Sequence, residues 1–389
     1  MPPRVSRSFK LNFVFLNIFG IWPGNETRTY YKYYSAVFIF VSLFMYNVLL
    51  TLNLFYTPPR IGTVIREVVF YFTELAVTGK VIMILMERKK IVKVLSLLDC
   101  EYFQGENEHS REIIKDHIDK YSIYWKVYAT LSNFAYFSQI FLPVISHFIF
   151  NTTLDLPICK YYFLSDQFIQ RYFFYLFTYQ TIWMYGHMTY NVNIDTLIAG
   201  LIFMAIAQLR VLNYNFKKFS TSVKKTDNNS KDMEMLKLNR YLMHYNTILS
   251  YCSEIQQILS ISLFVQFGMA SAVICVILFG LLLPTSIESL IFMISYFFAM
   301  VLQILVPAYL GSLLGIESQE LVFAGYCCEW VPRSKEFKSS IKLFLTRANK
   351  NILITGLKVF PLSLDTFVWI MKTAYSLLAL IRNVQNQQT

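Results

Sequence analysis

Residues 33–55 read YYSAVFIFVSLFMYNVLLTLNLF, with no Asp, Glu, Lys, Arg or His among them. A helix rises about 1.5 Å per residue, so about twenty such residues cross the roughly 30 Å of hydrocarbon in a bilayer. A surface helix of a water-soluble protein would carry charge on one face. This run is apolar all round, which predicts a membrane-spanning helix.

Six more runs of the same kind follow, at 64–86, 127–150, 173–209, 255–283, 287–314 and 360–381. The fourth exceeds a simple span and is expected to continue through Phe216 beyond the membrane. The links at 56–63 and 284–286 are short, which makes their flanking helices antiparallel neighbours. The expected fold is an all-α membrane protein with seven transmembrane helices, of which helices two to four extend into the cytoplasm. Composition agrees: hydrophobic residues make up 55% of the chain and charged residues 15%, with mean hydropathy +0.43. A soluble domain has about 25% charged residues.

Basic side chains set the orientation. Twenty-eight of the 35 Lys and Arg lie in the segments 1–32, 87–126, 210–254 and 315–359, and only five lie on the opposite side, Arg66 at the start of the second span among them. Cytoplasmic loops carry that excess, so the N-terminus is expected in the cytoplasm and the C-terminus outside. The +11 charge is therefore a topology signal, and nucleic acid is not an expected partner. The sequon at Asn151 falls in an expected outside loop, whereas those at Asn25 and Asn228 fall inside. G-protein-coupled receptors have the opposite orientation, and neither their Asp-Arg-Tyr nor their Asn-Pro-x-x-Tyr element is present. The basic N-terminal stretch lacks a small-residue cleavage site and does not read as a signal peptide. The six Cys have no metal-ligand spacing, so neither a disulfide scaffold nor a metal is expected.

The segment 87–126 reads as helix. Ile91, Val94, Leu95 and Leu98 form one apolar stripe; Ile113, Ile114, Ile118 and Tyr121 form another. Phe337, Ile341, Phe344 and Leu345 predict an amphipathic helix outside the bilayer, and Gly356 and Pro361 interrupt the chain before the last span. The polar stretch 224–232 (KKTDNNSKD) reads as a solvated loop.

Phosphate loops, zinc motifs and nucleophile elbows are missing, so the chain is not expected to be an enzyme, and no cofactor is expected. Glu74, Lys80, Asp195 and Lys372 fall within spans; such residues serve either function or hydrogen bonding between helices. Several spans carry aromatic faces at similar depth in their outer halves. These are Val68, Tyr71 and Phe72; Phe137, Ile140 and Phe141; Phe174, Phe177 and Thr178; and Phe292 with Tyr296. Packing between helices gives such stripes, and so does a small apolar pocket for a lipophilic or volatile ligand. Thr373, Ser376, Leu380, Asn383, Val384 and Gln387 share one face of the last span, which suits the border of an aqueous pore.

The carboxy-terminal segment resembles the insect odorant-receptor family. The resemblance rests on Tyr326-x-Cys328-x-Trp330, on Phe360-Pro361-Leu362-Ser363-Leu364-Asp365-x-Phe367 and on Lys372-x-Ala374-Tyr375-Ser376. Gly20-Ile21-Trp22-Pro23 resembles the family's N-terminal motif. The large insertion of the shared co-receptor is missing, so the chain looks like a ligand-tuning receptor. The resemblance implies a tetrameric odorant-gated non-selective cation channel, assembled with the co-receptor in a heterotetramer. Such channels lie in the plasma membrane of olfactory sensory neurons, and their dendrites are the implied location. The implied ligand is a small volatile odorant, and the other partners are membrane lipids.

On this reading 1–316 forms the arm and six-helix ligand-binding bundle, 317–359 the cytoplasmic anchor and 360–389 the pore-lining helix. The resemblance places the pore and gate at Ser376, Leu380, Asn383 and Val384. Subunit contacts fall near Tyr326, Cys328 and Trp330, and the Val-x-x-Tyr-Phe pocket element at Val68, Tyr71 and Phe72. Lys372 departs from a plain apolar helix and is expected to face protein rather than the pore. A gustatory receptor channel of the same superfamily and a secondary transporter are the alternatives. The first lacks its Thr-Tyr…Gln-Phe ending here, and the second would show internal repeats.

Overall fold

The structure, a computed structural model, describes residues 5–23, 29–151, 154–219, 228–283 and 287–388. The chain is helical nearly throughout. After a 3-10 turn (Val5–Phe9) come α1 (Lys10–Ile18), α2 (Thr29–Ile39) and α3 (Tyr46–Tyr56), the last two joined through a π-helical turn, Phe40–Met45. Next are α4 (Ile61–Met86), α5 (Arg88–Leu98), α6 (Glu108–Phe150), α7 (Asp166–Arg171) and α8 (Phe173–Phe219). The remainder is α9 (Asn228–Gly280), α10 (Ile287–Tyr326), α11 (Lys335–Ala348), a hairpin of β1 (Thr355–Gly356) with β2 (Phe360–Pro361), and α12 (Leu364–Gln388). Among the described residues six helical units are long and apolar enough to cross a membrane: α2–α3 as one unit, α4, α6, α8, α9 and α10.

The long helices are the third to the sixth. At about 1.5 Å per residue, α6, α8, α9 and α10, with 43, 47, 53 and 40 residues, all outrun the hydrocarbon. The second span stops at Met86, and α5 continues separately. The segment 228–254, which reads as loop in the sequence, is the first half of α9, and the expected boundary at 316/317 falls inside α10.

α8 is the pillar: 94% of its most apolar window is buried. Close approach to it needs small residues. A Cβ at Gly200 would sit 2.5 Å from the Phe9 ring and 2.7 Å from that of Tyr121. The arm is pinned there by Asn12, whose Nδ2 donates to the Asn193 carbonyl (2.8 Å) and whose Oδ1 accepts from Tyr121 (2.6 Å).

The two amphipathic segments fold as their stripes predict. Ile91, Val94 and Leu98 of α5 are buried, as are Ile114 and Tyr121 of α6. α11 is capped by Ser334, whose hydroxyl accepts from Phe337 N, and buries Phe337, Ile341, Phe344 and Leu345. The interruption before α12 is the hairpin itself, turned by Leu357 and Lys358 at positive φ. The first residue of α12 is tied to α10, where Ser312 Oγ accepts from Leu364 N (2.8 Å).

Candidate ligand cavity and the polar core beneath it

α4 enters the bundle with Ile65, Val69, Thr73 and Val77 on one ridge and Arg66, Phe70 and Glu74 on the next. Where these ridges meet α6 and α10 they border a cavity of about 370 Å³. Ile140 and Pro143 of α6, Phe177 of α8, Ile277 and Gly280 of α9, and Phe292 and Met293 of α10 complete its apolar walls.

The loop after α6 closes this end through Asp155, Leu156 and Pro157. Side chains from the bundle hold that loop by its backbone. Arg66 Nη2 donates to the Leu156 carbonyl and Gln139 Nε2 to that of Pro157. Gln180 accepts from Ile158 N (2.9 Å) and donates to the Cys159 carbonyl (2.8 Å). Asn53 Oδ1 accepts from Tyr162 N (2.9 Å), while its Nδ2 donates to Glu67 (2.6 Å). Buried backbone groups that would otherwise lack partners are thereby satisfied.

Phe70 and Phe292, stacked with centroids 5.8 Å apart, form the floor. Below them lies a second space of about 70 Å³, bordered by Thr73, Glu74, Tyr128, His187, Asn191 and Tyr296. Thr73 and Tyr296 share a hydroxyl hydrogen bond. Glu74 bonds to His187 Nδ1, and His187 Nε2 donates to the Ser42 carbonyl (2.8 Å). A carbonyl only accepts, so one proton is shared between Nδ1 and the Glu74 carboxylate.

Deeper still, Lys80 Nζ lies 2.6 Å from Asp195 Oδ1 and donates to Asn191 Oδ1 at 2.6 Å. Asp195 Oδ2 accepts from Gln303 (2.8 Å) and Tyr128 (3.2 Å). Gln266 of α9 donates to the Gln303 carbonyl (3.2 Å). One network thus ties α4, α6, α8, α9 and α10 together. Glu74, Lys80 and Asp195 serve hydrogen bonding between helices, one of the two roles open to them in the sequence.

The expected pocket residues divide. Ile140, Phe177 and Phe292 line the large cavity, and Phe292 and Tyr296 line the deeper one. Phe72 borders a crevice towards α9, Tyr71 packs on the Tyr46–Leu50 cluster, and Val68 and Thr178 are half-buried away from both cavities. Phe137, Phe141 and Phe174 point outward, 48%, 48% and 74% exposed. The cavity face of α4 is instead that of Ile65, Arg66, Val69 and Phe70. Apolarity all round the helix hid it, but the ionisable Arg66 and Glu74 marked it, because charges in a span turn inward.

On α12, Ile370 and Ala374 are buried against the bundle, while Lys372, Thr373, Ser376 and Leu380 are exposed on the single chain. The side chains of Asn383, Val384 and Gln387 lie outside the described residues, as do Thr152, Thr153, Asn25 and positions 220–227. Tyr326 is exposed, Trp330 half-buried, and Cys328 fully buried in its own chain. The six cysteines are free thiols. Among the described residues no group of His, Cys, Asp and Glu is placed to hold a metal.

A bundle of long helices apolar enough to cross a membrane, packed around a largely apolar cavity, defines a class of helical membrane proteins. Residues 60–375 match the 7tm odorant receptor family, and the chain belongs to it. That family is one of receptors, not enzymes. Over 98% of its length the chain is 23% identical to odorant receptor Or1 of Anopheles gambiae, covering 96% of that protein. It is 24% identical to odorant receptor 10 of Aedes albopictus and 26% to odorant receptor 67c of Drosophila melanogaster. In these two matches the chain spans about half the relative's length, 49% of each. Its fold is that of the insect olfactory receptor OR5 from Machilis hrabei, solved in complex with eugenol. There the TM-score is 0.85 and the identity 17%, over 97% of this chain and 98% of that one.

Proposed function

We propose that the chain is the ligand-tuning subunit of a tetrameric, odorant-gated, non-selective cation channel, assembled with a co-receptor subunit. It resides in the plasma membrane of an olfactory sensory neuron, in the dendrite, with its N-terminus in the cytoplasm. The observation that carries the ligand part is the largely apolar cavity of about 370 Å³ inside an odorant-receptor bundle. A volume of that order suits a small hydrophobic molecule. The eugenol complex of the Machilis hrabei receptor supports the same ligand class.

Packing supports a division of labour. Helices α4 to α10 hold the ligand, the 317–359 segment anchors subunits, and α12 lines the pore. The narrow contact of α12 with its own bundle supports this, since Thr373, Ser376 and Leu380 are left for other surfaces. Lys372 is exposed with them and faces a neighbouring subunit or headgroups.

Recording from cells that express the chain with and without a co-receptor tests the proposal. An odour-evoked cation current with the co-receptor is expected; silence to every volatile in both cases refutes it. Asn383→Asp should change the permeability sequence and leave ligand preference intact.

A further inference from the structure

The polar inventory of the large cavity narrows the ligand's chemistry, an inference resting on the reading of that cavity as the ligand site. Arg66 stands in its wall. A guanidinium has five N–H donors and no acceptor. One of them is used, Nη2 to the Leu156 carbonyl, and Nε is buried with no partner among the described residues. Gln139, from the facing helix, likewise grips a carbonyl, that of Pro157. Ser138, Ser146 and Ser289 add hydroxyls to the wall, and among the described residues that line it Arg66 is the one cationic donor, with N–H groups beyond the one that holds Leu156. A buried donor without an acceptor is costly.

Acidic side chains already stand nearby. Glu67 follows Arg66 in sequence and holds Asn53, and Asp155 lies in the cavity wall. A further negative charge would be repelled by the Asp155 carboxylate in the wall, whereas a neutral acceptor would not. We infer that the ligand is a neutral carbonyl compound, an ester, ketone or aldehyde. Its oxygen accepts from Arg66 while its hydrocarbon lies against Val69, Phe70, Ile140 and Phe292.

The test uses the full chain, expressed with a co-receptor and challenged with two sets of matched size. One is pentyl acetate, heptanal, heptanol, heptanoate and heptane; the other is acetophenone, phenylethanol, phenylacetate and ethylbenzene. The neutral carbonyl member should be the most potent of each responding set. Arg66→Met should lower carbonyl sensitivity about tenfold, the value of one charge-assisted hydrogen bond, and leave the hydrocarbons unchanged. Arg66→Gln keeps a donor for the Leu156 carbonyl and guards against loss of the loop, with surface labelling as the check on folding. It should reach the surface and show the same selective loss. Greater potency of the carboxylates, alcohols or hydrocarbons overturns the inference, as does an equal loss for all compounds in Arg66→Gln. Silence of the wild type to every volatile overturns the reading beneath it instead.

Discussion

Lys80 and Asp195 form an ion pair in the middle of the bundle, Nζ to Oδ1 2.6 Å, with side chains only 1% and 0% exposed. Removing one partner strands the other charge, which in buried pairs costs about 3–5 kcal/mol. Lys80→Met should therefore lower the thermal stability and surface yield of the chain steeply. Adding Asp195→Asn removes the stranded charge and keeps acceptors for Gln303 and Tyr128, so the double variant should recover most of the loss. Equal losses in the single and double variants would mean that the pair is not coupled.

The hairpin before α12 gives a second prediction. A Cβ at Gly311 would lie 2.0 Å from the Leu362 carbonyl oxygen, whereas one at Gly268 meets nothing within 4 Å. Gly311→Ala must push the return strand off α10, at a cost of about 1–3 kcal/mol. Gly268→Ala in mid-helix should be neutral or slightly stabilising. Thermal unfolding of the two purified variants checks the contrast.

Neighbouring thiols at the end of α10 should differ in reactivity. Cys327 is exposed, whereas Cys328 is fully buried, and burial pushes its thiol up to about 11. At neutral pH it stays protonated, and the thiolate is the nucleophile. Maleimide should label Cys327 first, and Cys327→Ser should remove most of the rapid labelling in this region. Fast modification of Cys328, read by mass spectrometry, would contradict its burial.

Much of the fold was legible because membrane spans are written in unbroken apolar length, as in 33–55, and amphipathic helices in stripes such as Phe337–Ile341–Phe344. What failed to show was continuity. Positions 228–254 are polar enough to read as loop, yet Tyr245, Ile248, Tyr251 and Cys252 bury one face and carry α9 on as a single rod. The cavity was half legible. Ile140, Phe177, Phe292 and Tyr296 face it, but Phe137, Phe141 and Phe174 turn outward. In a span both the lipid face and the core face are apolar, so hydropathy cannot separate them. Arg66, Glu74, Lys80 and Asp195 can, because each must find polar company inside. The proposed subunit contacts and pore face of α12 would depend on other chains, which no single helix encodes.

The central claim is that the cavity between α4, α6 and α10 holds the odorant. The most direct measurement is the odour dose–response of Ile65→Trp, which fills that space from α4, beside Phe137→Ala and Phe174→Ala on the outward faces. Sensitivity should fall tenfold or more in Ile65→Trp and stay at the wild-type value in the other two, all three reaching the surface equally. An unchanged curve for Ile65→Trp, with shifted curves for the outward variants, would contradict the assignment.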